Sequence, residues 1–248
     1  MNFTKYDEKI PQLSTEQMIE VDRLMESKYQ IDLNKMMENA GRSLAIVAKE
    51  LFLKRQPILK RVAILAGTGG NGGGVMAAAR RLHNWGAEIH VFISKPAGRM
   101  TPVPAHQLSI LRNMEVSVQL PIAIKKEEKP FDLIIDGIIG YSLKGEPRGG
   151  AKTMIDWANE QSTPVLALDT PSGVDLTTGT VHETVIKADA TLTLALPKKG
   201  LFEEEVKPLR GPLYLADLGV PPMLYQERSL GFKVPPIFAK GDILLLEE

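Results

Sequence analysis

The chain contains no cysteine. Disulfides, a CxxC redox pair, cysteine-ligated zinc and a thiol nucleophile are therefore all excluded. Charge of either sign is not in surplus: 30 Lys and Arg balance 30 Asp and Glu. No basic footprint argues for nucleic acid. No apolar run is long enough to span a bilayer, and the polar opening MNFTKYDEKIPQL is unlike a signal or transit peptide. The expectation is a cytoplasmic protein with neither membrane nor nucleic acid as a partner. The four histidines (His83, His90, His106 and His182) lack metal-ligand spacing. There is no internal repeat and no low-complexity linker. A length of 248 residues, 44% hydrophobic and 24% charged, suits one large α/β domain.

Glycine, by contrast, is concentrated. Six glycines fall between Gly67 and Gly74 in RVAILAGTGGNGGGVMAAARRL, residues 61–82. An apolar strand enters this segment and a helix, predicted over Met76–Leu82, leaves it. Glycines accumulate where backbone must approach a ligand closely or adopt positive φ, and a helix start favours an anionic group such as phosphate. The competing reading is a tight turn alone, although six glycines exceed what a turn needs.

Ahead of this segment, residues 14–53 read as two helices. Ser14 or Thr15 caps the first, and Met36, Met37, Ala40, Leu44, Val47 and Ala48 recur at helical spacing in the second, over Leu33–Leu53. Beyond residue 61, short apolar runs alternate with helical stretches. The strands are VAILA, EIHVFI, FDLIID, PVLALD, ATLTLAL and PLYLADL. Helices are predicted near Ala105–Asn113 and Lys152–Gln161. This alternation predicts a three-layer αβα Rossmann-like sandwich around a mostly parallel sheet. The run Lys125–Lys129 reads as a solvated loop, and the stretch from Ser229 to the end as a loosely packed tail.

In open α/β sheets ligands bind beyond the carboxyl ends of the strands. Three features fall there. They are the glycine segment, Asp136 closing FDLIID, and Asp169 closing PVLALD ahead of Thr170-Pro171-Ser172-Gly173. Two carboxylates beside an anion-binding segment point to acid/base chemistry or cation binding. Each aspartate taken singly also suits a helix cap, and Pro171-Ser172-Gly173 a simple turn.

A nicotinamide-dependent dehydrogenase is one rival. Gly67-Thr68-Gly69-Gly70-Asn71-Gly72 satisfies GxGxxG, but that match alone is weak. The second strand ends in Ser94 and Lys95 where an NAD site expects an acid; a basic residue there suits a 2′-phosphate.

The ordered motifs together resemble the YjeF N-terminal domain family, the NAD(P)HX epimerases, over roughly residues 13–228. The resemblance rests on Gln17-Met18…Asp22, Met37-Glu38-Asn39-Ala40-Gly41-Arg42, Gly67–Val75 followed by Ala79-Arg80-Arg81-Leu82, and Asp136-Gly137-Ile138-Ile139-Gly140. It continues through Asp169-Thr170-Pro171-Ser172-Gly173, Ala188-Asp189-Ala190-Thr191 and Lys198-Lys199-Gly200-Leu201. The family's glycine segment resembles GPGNNGGDG. Here its first asparagine is Gly70, its aspartate Gly74 and the glycine after it Val75.

The resemblance implies an enzyme that interconverts the R and S epimers of hydrated NADH or NADPH (NADHX, NADPHX) at C6, so that a separate dehydratase can repair the whole pool. It implies Asp169 as the proton-transferring residue. Substrate contacts fall on Gly70, Asn71, Gly72, Gly73, Gly74 and Asp169, and on Gly140, Tyr141, Ser142, Leu143, Lys144, Gly145 and Glu146. A potassium ion is implied on Asn71, Asp136 and Ser172. About twenty residues follow the match, too few for a domain, so the dehydratase is expected on another chain. A homodimer is also expected. Exchanging Asp169 for Asn should abolish epimerisation and leave the fold intact. The alternative is a non-catalytic scaffold on the same fold, which the altered glycine segment favours and the retained Asn71, Asp136 and Asp169 oppose.

Overall fold

The computed structural model describes residues 3–127 and 129–247. Among these residues nine strands form a single sheet: β1 (Thr4–Lys5), β2 (Arg61–Ala66), β3 (Glu88–Ile93), β4 (Ser117–Gln119), β5 (Leu133–Gly137), β6 (Val165–Leu168), β7 (Ala190–Leu194), β8 (Leu213–Ala216) and β9 (Ile243–Glu247). Their order is β1-β9-β8-β7-β6-β5-β2-β3-β4. Every pair is parallel except β8–β9. The strands run outward from β2 in both directions, so the connection reverses between β2 and β5. This switch point leaves a crevice at the carboxyl edge.

Among the described residues six α-helices accompany the sheet: α1 (Thr15–Ser27), α2 (Leu33–Val47), α3 (Gly70–Asn84), α4 (Pro102–Asn113), α5 (Gly150–Asn159) and the single turn α6 (Lys207–Arg210). Alternate residues of β2 enter different cores, because successive strand side chains point to opposite faces. Val62, Ile64 and Ala66 pack with Leu44, Val47, Met76 and Leu82 of α2 and α3. Ala63 and Leu65 pack with Phe92, Phe131 and the α5 residues Met154 and Trp157. Burial on both faces explains why these strands carry almost no polar residue.

Local signals set the helix starts. Ser14 caps α1 in a capping box with Gln17 (Gln17 N to Ser14 Oγ 3.3 Å, Ser14 N to Gln17 Oε1 2.8 Å), satisfying two orphan backbone donors. Asp32 caps α2, which ends at Val47 and continues as one π-helical turn over Ala48–Phe52.

Three expectations change. The glycine segment is the first turn of α3, which starts at Gly70 rather than Met76. Its glycines serve close packing more than turning. A Cβ on Gly72 would lie 2.1 Å from the carbonyl oxygen of Gly67, and one on Gly67 1.9 Å from that of Ile138. The C-terminal stretch is not a loose tail: Ile243–Glu247 is a sheet strand between β8 and β1. The Lys125–Lys129 run is not simply solvated, since half-buried Glu127 accepts from Arg61 at 3.1 Å; Glu128 lies outside the described residues. No helix among the described residues is long and apolar enough to cross a membrane.

Candidate active site

A cavity of about 1040 Å³ opens at the carboxyl edge, over the switch point. Its walls come from the start of α3, the segment after β5, the end of β6, the end of β7 and helix α1. Gly70, Asn71, Gly72, Gly74, Asp169 and every residue from Gly140 to Glu146 line it. Gly73 does not; it packs on Met37, whose Sδ would be 3.2 Å from an added Cβ. Asp136 and Ser172 lie beneath the wall, both fully buried.

Asp136 organises the floor. Its Oδ1 accepts from Ile138 N (3.1 Å) and Ser172 Oγ (2.7 Å), and its Oδ2 from Ser172 N (2.8 Å). Ser172 Oγ in turn accepts from Ile139 N at 2.8 Å. The loops after β5 and β6 are thereby clamped together. Burial raises the Asp136 carboxyl to about 6 despite those bonds, and it forms no ion pair among the described residues. Asn71 spans to β6, its Nδ2 donating to Leu168 O at 2.7 Å. Its Oδ1 occupies the space of a Cβ on Gly140, 2.5 Å from where that atom would be.

Asp169 is held in a rare conformation. Its φ is +66°, and Thr170 N bonds across it to Leu168 O at 2.8 Å. This is a γ-turn of the positive-φ kind, which is strained; such strain persists where surrounding structure over-determines it, typically at functional sites. Asp169 Oδ1 accepts from Lys198 Nζ and from Thr193 Oγ1 at 3.3 Å. Lys198 is itself buried and donates also to Leu194 O at 2.9 Å. The inward bonds all fall on Oδ1, so Oδ2 is the oxygen left for the cavity that Asp169 lines.

A second carboxylate enters from α1. Asp22 lines the cavity and accepts from the Tyr141 hydroxyl. Burial raises the Asp22 carboxyl to about 6, against the Tyr141 bond and the charge of Lys198. Burial and Asp22 together push the Tyr141 phenol up. Folded Asp22 holds its proton more tightly than in the unfolded chain, where the ordinary value is 3.8. Its contribution to stability is thus lost as pH rises through about 6. Asp22→Asn should gain melting temperature relative to the parent as pH rises from about 4 to about 7, measured by thermal melts across that range.

Reading the sequence did not single out Asp22 or Lys198 for chemistry, although both lay inside recognised motifs. The available signal was a Lys-Lys pair directly after an apolar strand, where Lys198 is buried and its neighbour Lys199 exposed.

The model of the family described as "YjeF-related protein N-terminus" matches residues 33–200. The chain belongs to that family. Among relatives of this YjeF-related domain, an NAD(P)H-hydrate epimerase of Dehalogenimonas lykanthroporepellens is 39% identical over 219 residues, 88% of this chain and 86% of that one. An NAD(P)H-hydrate epimerase of Entamoeba histolytica is 31% identical over 84% of this chain and 88% of its own length. A bifunctional NAD(P)H-hydrate repair enzyme of Salinibacter ruber is 29% identical, and there the match spans 42% of the longer protein. The crystal structure of yeast ynu0 superposes with a TM-score of 0.78 at 25% identity, over 96% of this chain and 100% of that one.

In this YjeF-related domain two of the altered positions, Gly74 and Val75, are closely packed. Val75 fits against Gly137, whose added Cβ would lie 2.3 Å from Val75 Cγ1. A side chain at Gly74 would start 2.6 Å from Leu168 Cδ2. These two positions thus sit on the sheet side of α3, while Asn71 contacts β6.

Proposed function

We propose that this pocket epimerises C6 of hydrated NADH or NADPH, with the Asp169–Lys198 pair handling protons at the reacting carbon. The single observation that carries the assignment is Asp169. It sits in a strained turn at the switch-point crevice, with one oxygen fixed by a buried lysine and the other left for the cavity.

C6 bears a hydroxyl and the ring nitrogen. Loss of the hydroxyl leaves an iminium cation stabilised by the nitrogen lone pair, and water returns to either face. Departure needs an acid and return needs a base. Asp169 Oδ2 is suited to exchange that proton, and its charge favours the cation electrostatically. Lys198 fixes the carboxylate so that Oδ2 keeps its direction.

Charge along the cavity orients the substrate. Lys95 follows β3, and Asp169 follows β6, three strand spacings away or about 14 Å. Lys95, Lys144 and Arg148 line the cavity and form no ion pair among the described residues. They and the first turn of α3 suit the phosphates, leaving the nicotinamide ring for Asp169.

A potassium ion is part of this reading. The donors fit one: Asn71 Oδ1 and Ser172 Oγ are hard oxygens, and Asp136 is a buried carboxylate without a cationic partner among the described residues. When bound, the ion would neutralise Asp136 and stiffen the join between the loops after β5 and β6. The bifunctional relatives support pairing the epimerase with a second repair activity, here proposed to be a dehydratase on a separate chain.

The test adds the purified protein, with potassium, to equilibrated R and S NADPHX and an S-specific dehydratase, and follows recovery of NADPH absorbance. The slow phase from the R form should become fast; an unchanged slow phase with folded protein sinks the assignment. Replacing potassium by choline should slow the phase and lower the melting temperature. Asp136→Asn should abolish the potassium-dependent gain in melting temperature, because it removes the negative charge that favours the ion.

A further inference from the structure

Inverting C6 poses a problem that one carboxylate does not solve. The hydroxyl leaves from one face of the ring and water must add to the other. A group fixed on one side, as Asp169 is by Lys198 and Thr193, meets only one face. The opposite face needs its own proton-handling group, and a site for it is present.

Asp22 and Tyr141 belong to different elements from Asp169 and Lys198. Asp22 projects from α1, whose Met18, Val21, Leu24 and Met25 pack in one cluster with Ala195 and Leu196 just beyond β7. Tyr141 projects from the segment after β5. Both line the same cavity as Asp169 and are hydrogen-bonded to each other. The two pairs are close enough to act on one another: Lys198 and Asp169 both influence Asp22, and Asp169 influences Tyr141. Asp22 meets no cation in an ion pair among the described residues, only the Tyr141 hydroxyl, while Asp169 is paired with a buried ammonium. Two carboxylates held in such unequal surroundings are suited to opposite roles at one moment, acid and base.

We propose that Asp22 and Tyr141 form a second catalytic pair, which handles the proton on the ring face opposite Asp169; the inference rests on the epimerase reading above. In one direction the Tyr141 hydroxyl turns to give its proton to the departing hydroxyl, and protonated Asp22 gives its own proton to the Tyr141 oxygen, leaving Tyr141 neutral and Asp22 ionised. The C6–O bond breaks, water leaves, and the ring-nitrogen lone pair closes the C=N bond of the iminium. A water on the other face then bonds C6 through its oxygen. The C=N electron pair returns to nitrogen and the released proton goes to Asp169 Oδ2. The reverse direction starts from the state this leaves, with Asp169 protonated and Asp22 ionised. No oxidant, reductant or further reactant is needed.

The division of labour predicts a pattern that a structural role for Asp22 would not give. Each resolved epimer of NADPHX is incubated with enzyme in H2¹⁸O, and both inversion and ¹⁸O entry at C6 are followed by chiral separation and mass spectrometry. The parent enzyme should invert and label both. Asp22→Asn should slow inversion by about 100-fold, as expected for loss of one acid/base group. It should still exchange ¹⁸O into the one epimer whose hydroxyl faces Asp169, by removal and return on the same side. Asp169→Asn should spare exchange in the opposite epimer only. Tyr141→Phe should follow the Asp22 pattern. Inversion by Asp22→Asn within about threefold of the parent rate, or both aspartate variants sparing the same epimer or neither, would overturn the proposal. A folded parent enzyme that neither inverts nor labels above the rate without enzyme overturns the epimerase reading as well, so the two failures are distinguishable.

Discussion

Asp169→Asn should lower the rate of epimerisation by about a thousandfold, within the range for removing a positioned proton-transfer group. It should also reduce stability, which the sequence alone did not anticipate. Lys198 is 1% exposed and Asp169 2%. Removing the negative charge leaves a buried ammonium with only neutral acceptors, the new amide oxygen, Leu194 O and Thr193 Oγ1. Breaking a buried pair in this way costs about 3–5 kcal/mol, which in a chain of this size lowers the melting temperature by about 10 °C. Adding Lys198→Met to Asp169→Asn should restore most of the lost melting temperature, because the uncompensated charge is gone, and restore none of the activity. Scanning fluorimetry and the coupled NADPH assay on the single and double variants separate the two effects. If the double variant regained activity, Asp169 would have no part in the chemistry.

Gly72→Ala is the second large effect expected. Alanine is favoured over glycine in a helix by about 1 kcal/mol, so propensity alone predicts a gain. Packing reverses the sign. The new Cβ would lie 2.1 Å from the Gly67 carbonyl oxygen and 2.7 Å from its carbon. Those are main-chain atoms, and Gly67 is itself wedged against Ile138. The start of α3 must therefore shift away from β2 and β5, at a cost of about 1–3 kcal/mol or more. Asn71 shifts with it, and a displacement near 1 Å at a positioned group costs on the order of a hundredfold in rate. Gly69→Ala is the matched control: nothing lies within 4 Å of its added Cβ and its φ of −106° suits any residue. Melting temperature should fall for Gly72→Ala and stay near the parent for Gly69→Ala, and activity should fall for Gly72→Ala. Equal behaviour of the two would mean that close approach is not why glycine occupies position 72.

Much of this architecture was legible in the residues because a parallel sheet buried on both faces writes itself as apolar runs. β2, β3, β5, β6, β7 and β8 all stand where such runs predict them, and Ser14 marks the start of α1. The elements that escaped are short or composed against type. β1 has two residues and β4 three. β9 follows a proline-bearing stretch that reads as irregular. The first turn of α3 is nearly all glycine, which propensity assigns to a loop and packing assigns to a helix. At the site, Asp136 and Asp169 were identifiable because they close apolar runs that share one sheet edge, and Asn71 and Ser172 through the family resemblance. Asp22 and Lys198 were not, because nothing local distinguishes a helix aspartate, and the Lys-Lys pair after an apolar run does not say which lysine will be buried. Their roles arise from tertiary placement, across chain separations that pattern reading does not bridge.

The far edge of the sheet bears on how the protein is made. β9 lies between β8 and β1, and Tyr6 N bonds to Leu245 O at 2.9 Å. β1 therefore has no berth until β9, far later in the chain, has been synthesised. During that interval β8 presents an open edge, a template for strands of neighbouring nascent chains. A frameshift or premature stop just before residue 243 would leave the catalytic groups encoded in full, and would be felt as aggregates on the polysome rather than as a change in kinetics.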